Sequence, residues 1–247
     1  MPSQPRQRNK WLPRPATPGA RARVFLIPYS GCGAGMYRRW PHLRDGVEYL
    51  PVELPGHETR FAEPNFTSYQ QLAKMMAGGL EDHLDVPFAF FGHCGSALAA
   101  YEVSAELTRT GMPAPAQLFV SSEVAPQDGP AGRFLSMTDA ELRAELEMLI
   151  RELGGNPAPE LIELYLEVLR TDVETNKRYV VPEPYRLSCP VTAIGWTDDD
   201  EIPYATMGGW DACGDATGVL LPGRHHRFID APDELLELMS GALGVRA

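Results

Sequence analysis

Six short apolar runs, at residues 24–27, 49–54, 87–92, 118–122, 191–196 and 218–222, constrain this chain more than any other feature of it. Pro87-Phe88-Ala89-Phe90-Phe91-Gly92 is apolar without alternation, as expected of a strand covered on both faces. Between the runs, Leu72, Met75, Met76 and Leu80 recur at helical spacing, residues 97–107 are alanine-rich, and residues 233–243 read as a last helix. Strands that alternate with helices and are buried on both sides specify an α/β fold on a mostly parallel sheet. No run approaches the ~18 apolar residues of a spanning helix, so no membrane span is expected.

Residues 130–181 break that rhythm. Thr138-Asp139-Ala140-Glu141 is a capping box opening a helix with Leu142, Leu146, Leu149 and Leu153 on one side, ended by Gly154-Gly155. Pro159 opens a second helix, whose apolar side reads as Leu161, Leu164, Tyr165, Val168 and Leu169. Two inserted helices need a surface for those stripes, and the carboxyl edge of the sheet, where ligand crevices form, makes them a lid. The organisation expected is one domain over residues 24–247 with a lid at about 130–181. A Pro-rich leader, residues 1–23, precedes it and is expected to be disordered or extended.

That leader carries Arg6, Arg8, Lys10, Arg14, Arg21 and Arg23 and no acid, so the rest of the chain holds −17, the total of −11 less those six. Such a body repels nucleic acid, and the short leader is no convincing binding arm. It has no apolar core of a secretory signal either. The 4 cysteines, Cys32, Cys94, Cys189 and Cys213, form no C-x-x-C pair, which argues against a metal site and a disulfide framework. Reduced thiols in a cytoplasmic protein are the expectation, and Cys32 is not expected to pair with Cys94.

The sharpest local signal is Phe90-Phe91-Gly92-His93-Cys94-Gly95-Ser96-Ala97. It has the form of the nucleophile elbow G-x-S-x-G of the α/β-hydrolase fold, with Cys94 in place of serine and Ser96 in place of the second glycine. The turn from strand to helix is so abrupt that residues two before and two after the nucleophile must be small. A helix starting at that point aims its N-terminus at Cys94, which is expected to lower the thiol pKa. The bland alternative is an unreactive buried cysteine at a tight junction.

A nucleophile of this kind needs a base and a carboxylate to orient it, in the chain order nucleophile, acid, histidine. Asp198-Asp199-Asp200-Glu201 follows the run at 191–196, and Gly223-Arg224-His225-His226 follows the last run. Both lie just beyond strand ends, where a crevice collects side chains. The loop Pro28-Tyr29-Ser30-Gly31-Cys32-Gly33 stands where an oxyanion hole gains its second backbone donor, the first being the amide of Gly95.

Together these segments resemble the type II thioesterases, the free-standing editing enzymes of polyketide and nonribosomal peptide synthesis, over nearly the whole chain. The early loop resembles that family's P-x-A-G-G, with Ser30 in the alanine place. Leu54-Pro55-Gly56-His57-Glu58-Thr59-Arg60 resembles L-P-G-R-x-x-R, and Phe91-Gly92-His93-Cys94-Gly95-Ser96 resembles F-G-H-S-M-G. Phe119-Val120-Ser121-Ser122, Leu169-Arg170-Thr171-Asp172 and Leu221-Pro222-Gly223-Arg224-His225 continue the likeness. It implies Cys94 as nucleophile, His225 as base and Asp199 as the acid, with Asp198 and Asp200 as alternatives, and backbone donors at Ser30 and Gly95.

The resemblance also implies an acyl-thioester enzyme that works through an acyl-Cys94 intermediate. Its partner would be an acyl or peptidyl carrier protein, with no cofactor beyond the phosphopantetheine or coenzyme A carrying the substrate. Cysteine in place of serine is the departure that matters. An acyl-Cys is itself a thioester, close in energy to the substrate, so transfer to another thiol or an amine competes with hydrolysis. An acyl- or aminoacyltransferase is therefore the first alternative, and a non-catalytic binding protein on the same scaffold the second.

Overall fold

The computed structural model describes residues 9–245. A seven-stranded sheet in the order β2-β3-β1-β4-β5-β6-β7 runs through its centre. The strands are β1 (Ala22–Leu26), β2 (Leu43–Arg44), β3 (Val47–Pro51), β4 (Phe88–His93), β5 (Gln117–Ser121), β6 (Pro190–Trp196) and β7 (Asp215–Leu221). Every neighbouring pair is parallel except β2 with β3. The two-residue β2 has no apolar run of its own, so the sequence offered no sign of it. The fold is that of the α/β hydrolases.

Alternate residues of β1 supply two cores. Phe25 and Ile27 pack on the side of α1 (Tyr69–Leu80) and α2 (Gly95–Arg109), whereas Ala22, Val24 and Leu26 pack on the side of α5 (Asp233–Ala242). Packing a sheet on both faces is what makes its central strands apolar throughout: every residue of β1, β4 and β5 is buried.

Two helices enter between β5 and β6, α3 (Asp139–Glu152) and α4 (Pro159–Lys177). The Thr138 side chain accepts from the Glu141 amide while the Glu141 carboxylate accepts from the Thr138 amide, a complete capping box. The buried stripe of α3 is Leu142, Leu146 and Leu149. That of α4 follows the sequence reading at Val168 and Leu169 but departs from it elsewhere. Ile162, Leu166, Leu169 and Val173 turn inward, at steps of four, three and four, while Leu161 is exposed. A helix with apolar residues on adjacent positions has two candidate faces, and the contact with the early loop selects between them.

Of the leader, residues 1–8 lie outside the described residues. Around Trp11 the chain is packed against the body. Trp11 and Leu12 are buried, the Trp11 carbonyl accepts from the Glu53 amide at 2.8 Å, and the Arg60 guanidinium lies 4.3 Å from the Trp11 ring centroid. Arg23, counted with the leader's solvated cations, is the second residue of β1. It is buried against Glu48 at 3.1 Å and also pairs with Asp85. No helix among the described residues is long and apolar enough to cross a membrane.

Candidate active site

Cys94 is the single residue between β4 and α2, at φ 54° and ψ −140°. A side chain with positive φ is strained by about 1–3 kcal/mol, and such strain persists only where surrounding contacts enforce it. Here the Cys94 amide donates to the Ser121 carbonyl at 2.8 Å and its carbonyl accepts from the Ala97 amide at 2.8 Å. Gly92 has no room for a side chain, since a Cβ there would lie 2.2 Å from the Ser96 carbonyl oxygen. Ser96 suits the position usually held by glycine, because its hydroxyl accepts from the His93 amide at 2.9 Å and donates back to the His93 carbonyl at 3.0 Å.

The loops after β6 and β7 bring the candidate acid and base together. His225 Nδ1 lies 3.0 Å from Asp199 Oδ2. The same oxygen accepts from the Ser122 hydroxyl at 2.6 Å, while Oδ1 accepts from the amides of Glu201 and Ile202 at 2.9 and 3.1 Å. Burial raises the Asp199 pKa, but the bonds from His225, Ser122 and Ile202 outweigh it and hold the carboxyl at about 2. Asp198 instead accepts from its neighbour Thr197.

On the other face of the imidazole, Cys94 Sγ, a ring nitrogen of His225 and a carboxylate oxygen of Glu201 all lie within 4.8 Å of one another. Glu201 Oε1 is 3.1 Å from His225 Nε2, and Oε2 accepts from Arg133 Nε at 2.7 Å. Arg133 in turn grips Glu145 of α3 with two bonds, at 2.8 and 2.6 Å. These three donors are of types a zinc ion accepts.

The thiol is enclosed. Cys94 is 4% exposed, and a Cβ on Gly132, in the segment leading into the lid, would lie 3.7 Å from Sγ. Burial raises the Cys94 pKa well above its ordinary value, and the nearby carboxylates of Glu123, Glu201 and Asp199 add to that, opposed by the Gly95 amide. The expectation that the helix start would lower it is therefore overturned: the helix end is outweighed by desolvation and by three acids. Glu123 is itself buried, its carboxyl pushed up to about 8, with Oε2 lacking a partner.

The fold carrying this geometry is shared. The thioesterase domain model matches residues 22–243. The chain belongs to the thioesterase family. It is 30% identical to the gramicidin S biosynthesis protein GrsT of Aneurinibacillus migulanus over 94% of this chain and 93% of that one. It is 32% identical to the RedJ thioesterase from the prodiginine biosynthetic pathway of Streptomyces coelicolor, with a TM-score of 0.75 over 97% of this chain and 100% of that one. The type II thioesterase BorB from the borrelidin biosynthetic cluster superposes with a TM-score of 0.79 at 25% identity, covering 96% of this chain and 99% of that one.

In this thioesterase the early loop and Gly95 adjoin. A Cβ on Gly95 would lie 2.9 Å from the Tyr69 hydroxyl, 3.1 Å from Asn176 Nδ2 and 3.4 Å from the Ser30 hydroxyl. The loop is held from two sides. Asp172 of α4 accepts from the Gly31 amide at 2.8 Å, and Glu58 accepts from the Gly35 amide at 3.0 Å. Asp172 Oδ2 also lies 3.0 Å from His57 Nε2, while His57 Nδ1 is 3.0 Å from the Pro55 carbonyl. Both partners of that ring are acceptors, an arrangement that favours the doubly protonated ring. Burial opposes that charge, but Asp172, the Pro55 carbonyl and Glu58 prevail and raise its pKa.

A cavity of about 310 Å³ lies between the early loop and the lid, bordered by Cys32, Met36, Leu146, Leu149, Ile150 and Tyr165. Cys94 is not among its lining residues. Cys32 is a free thiol, as are Cys94, Cys189 and Cys213. His226 packs its ring 5.3 Å from that of His225 and faces Glu152 at 3.1 Å, and burial pushes its pKa down to about 4. The sequence reading missed Ser122, Glu201, Arg133 and the His57–Asp172 pair as parts of this region. Glu201 was visible only as the end of an acidic run.

Proposed function

We propose that this chain is a type II thioesterase of polyketide or nonribosomal peptide biosynthesis, acting in the cytoplasm on acyl groups held by a carrier protein. Cys94 is the nucleophile, His225 the base and Asp199 its orienter. The Cys94 proton passes to His225 as Sγ attacks the thioester carbonyl, and the amides of Gly95 and Ser30 receive the oxyanion. The tetrahedral adduct collapses by breaking its bond to the pantetheine sulfur, which leaves with the proton from His225. Water then attacks the acyl-Cys94 with His225 as base, the Cys94–acyl bond breaks, and the free acid and the thiol are regenerated.

One observation carries this reading: the Cys94 thiol, at a strained strand–helix turn, lies within 4.8 Å of a ring nitrogen of an imidazole whose Nδ1 is bound to a buried carboxylate. A substrate must displace the Gly132 segment to reach it. The enclosure also favours a second reading, transfer of the acyl group to another carrier thiol or an amine, since a site that excludes water gives the acyl-Cys time to meet an acceptor. Incubation with acyl-carrier thioesters, followed by intact mass, separates the two. Hydrolysis yields free acid without acceptor, whereas transfer leaves Cys94 loaded until acceptor is added. Release by Cys94→Ala at the wild-type rate would overturn both.

A further inference from the structure

Four donors saturate Asp199, from His225, Ser122 and the amides of Glu201 and Ile202, so it has nothing to offer a substrate. Glu201 differs. Its side chain is 4% exposed and fixed through Oε2 by Arg133, while Oε1 faces His225 Nε2 at 3.1 Å, and one of its carboxylate oxygens lies within 4.8 Å of the Cys94 sulfur. For a thioester enzyme this placement is peculiar. Once Nε2 turns to the leaving thiol or to water, Oε1 loses that neighbour and faces whatever hangs from the acyl carbon. A hydrocarbon there would leave a buried carboxylate oxygen without a donor, which is costly.

We infer that Glu201 selects acyl groups bearing an α-ammonium, so that the substrates of this site are α-aminoacyl thioesters rather than plain fatty or malonyl-type acyl groups. The inference rests on the assignment of Cys94 as nucleophile made above. An α-nitrogen is three bonds from Sγ in the acyl-enzyme, which puts it about 3–4 Å from the sulfur. An oxygen within 4.8 Å of that sulfur is then within reach of a charge-assisted N–H···O bond of about 2.8 Å. The Arg133–Glu145 pair fixes the carboxylate against the lid, so its position is set before substrate arrives. A negative α-substituent, such as a malonyl carboxylate, would meet repulsion from the same oxygen.

The test compares alanyl, propionyl and malonyl thioesters on one carrier protein, following both release and the Cys94 adduct by intact mass. The wild type is expected to favour alanyl over propionyl by at least about thirtyfold in kcat/KM, with malonyl slower still. Glu201→Gln should shrink the alanyl-to-propionyl ratio at least tenfold. A wild-type ratio within threefold of unity overturns the inference, even if the Gln variant fails to fold. So does a Gln variant that changes alanyl and propionyl rates alike, which would make Glu201 a clamp on His225 instead. In either of those outcomes Cys94 still becomes acylated. Failure of every thioester to acylate Cys94 would instead remove the nucleophile assignment, and this inference with it.

Discussion

The four bonds that converge on Asp199 decide how His225 is presented. With Nδ1 tied to a carboxylate held at about 2, the imidazole keeps its proton on that side and leaves Nε2 for chemistry. Asp199→Asn would preserve the shape and invert the tautomer, so kcat on an acyl-carrier thioester should fall by about 10³-fold or more. An effect under tenfold would remove Asp199 from the mechanism. The low pKa also fixes a pH window. The carboxylate stabilises the fold above the ordinary carboxyl pKa, and that contribution is lost as pH falls from about 4 toward 2. At the same scale, Cys94 is neutral and shielded in the resting molecule, so iodoacetamide at pH 7 should label it more slowly than a free cysteine in a peptide.

Between elements, two ionic ties join the lid to the chemistry. Arg133 links α3 to Glu201, and Asp172 of α4 links the early loop to His57. Removing the first should favour the open lid. Arg133→Ala is expected to raise the rate of Cys94 alkylation about tenfold, equivalent to about 1.4 kcal/mol off the closed state; an unchanged rate would show that Arg133 does not hold the lid. The second tie has a pH signature. The pKa of His57 is raised on folding, so the stability it confers is complete below the ordinary histidine value and is lost as pH climbs through the folded one. The melting temperature should therefore drop as pH rises above 6.5, and less so in His57→Arg, which keeps its cation throughout. Equal drops would assign the loss to other groups.

These ties also mark the boundary of what the sequence discloses. Thr138 with Glu141, Gly92 before Cys94 and Pro159 at a helix start are local signals, because each acts on a backbone group within a few residues. Glu201 with His225, 24 positions apart, or Gly31 with Asp172, 141 apart, meet only after the sheet has brought strand ends together. Part of the α4 face was misread for the same reason, since its partner is a loop far back in the chain. The helix-start argument for Cys94 failed differently: the local dipole was real, but the acids that outweigh it arrive from β5 and β6.

Over the molecule as a whole, the packing of Trp11 shows how far the domain extends beyond its first strand. Its ring fills the space where a side chain on Gly79 would stand, with Nε1 2.0 Å from the ideal Cβ position, and lies under Arg60. Trp11→Ala should cost about 3–5 kcal/mol in chemical denaturation, as for a large core aromatic, whereas a contribution under 1 kcal/mol would make this segment a mere appendage. The covered thiol has a consequence of another kind. Peroxide attacks thiolates, and a neutral, walled-in sulfur gives it almost nothing to oxidise. The idle enzyme should thus survive in air and age mainly while it works, so hydrogen peroxide should inactivate it faster during turnover than at rest.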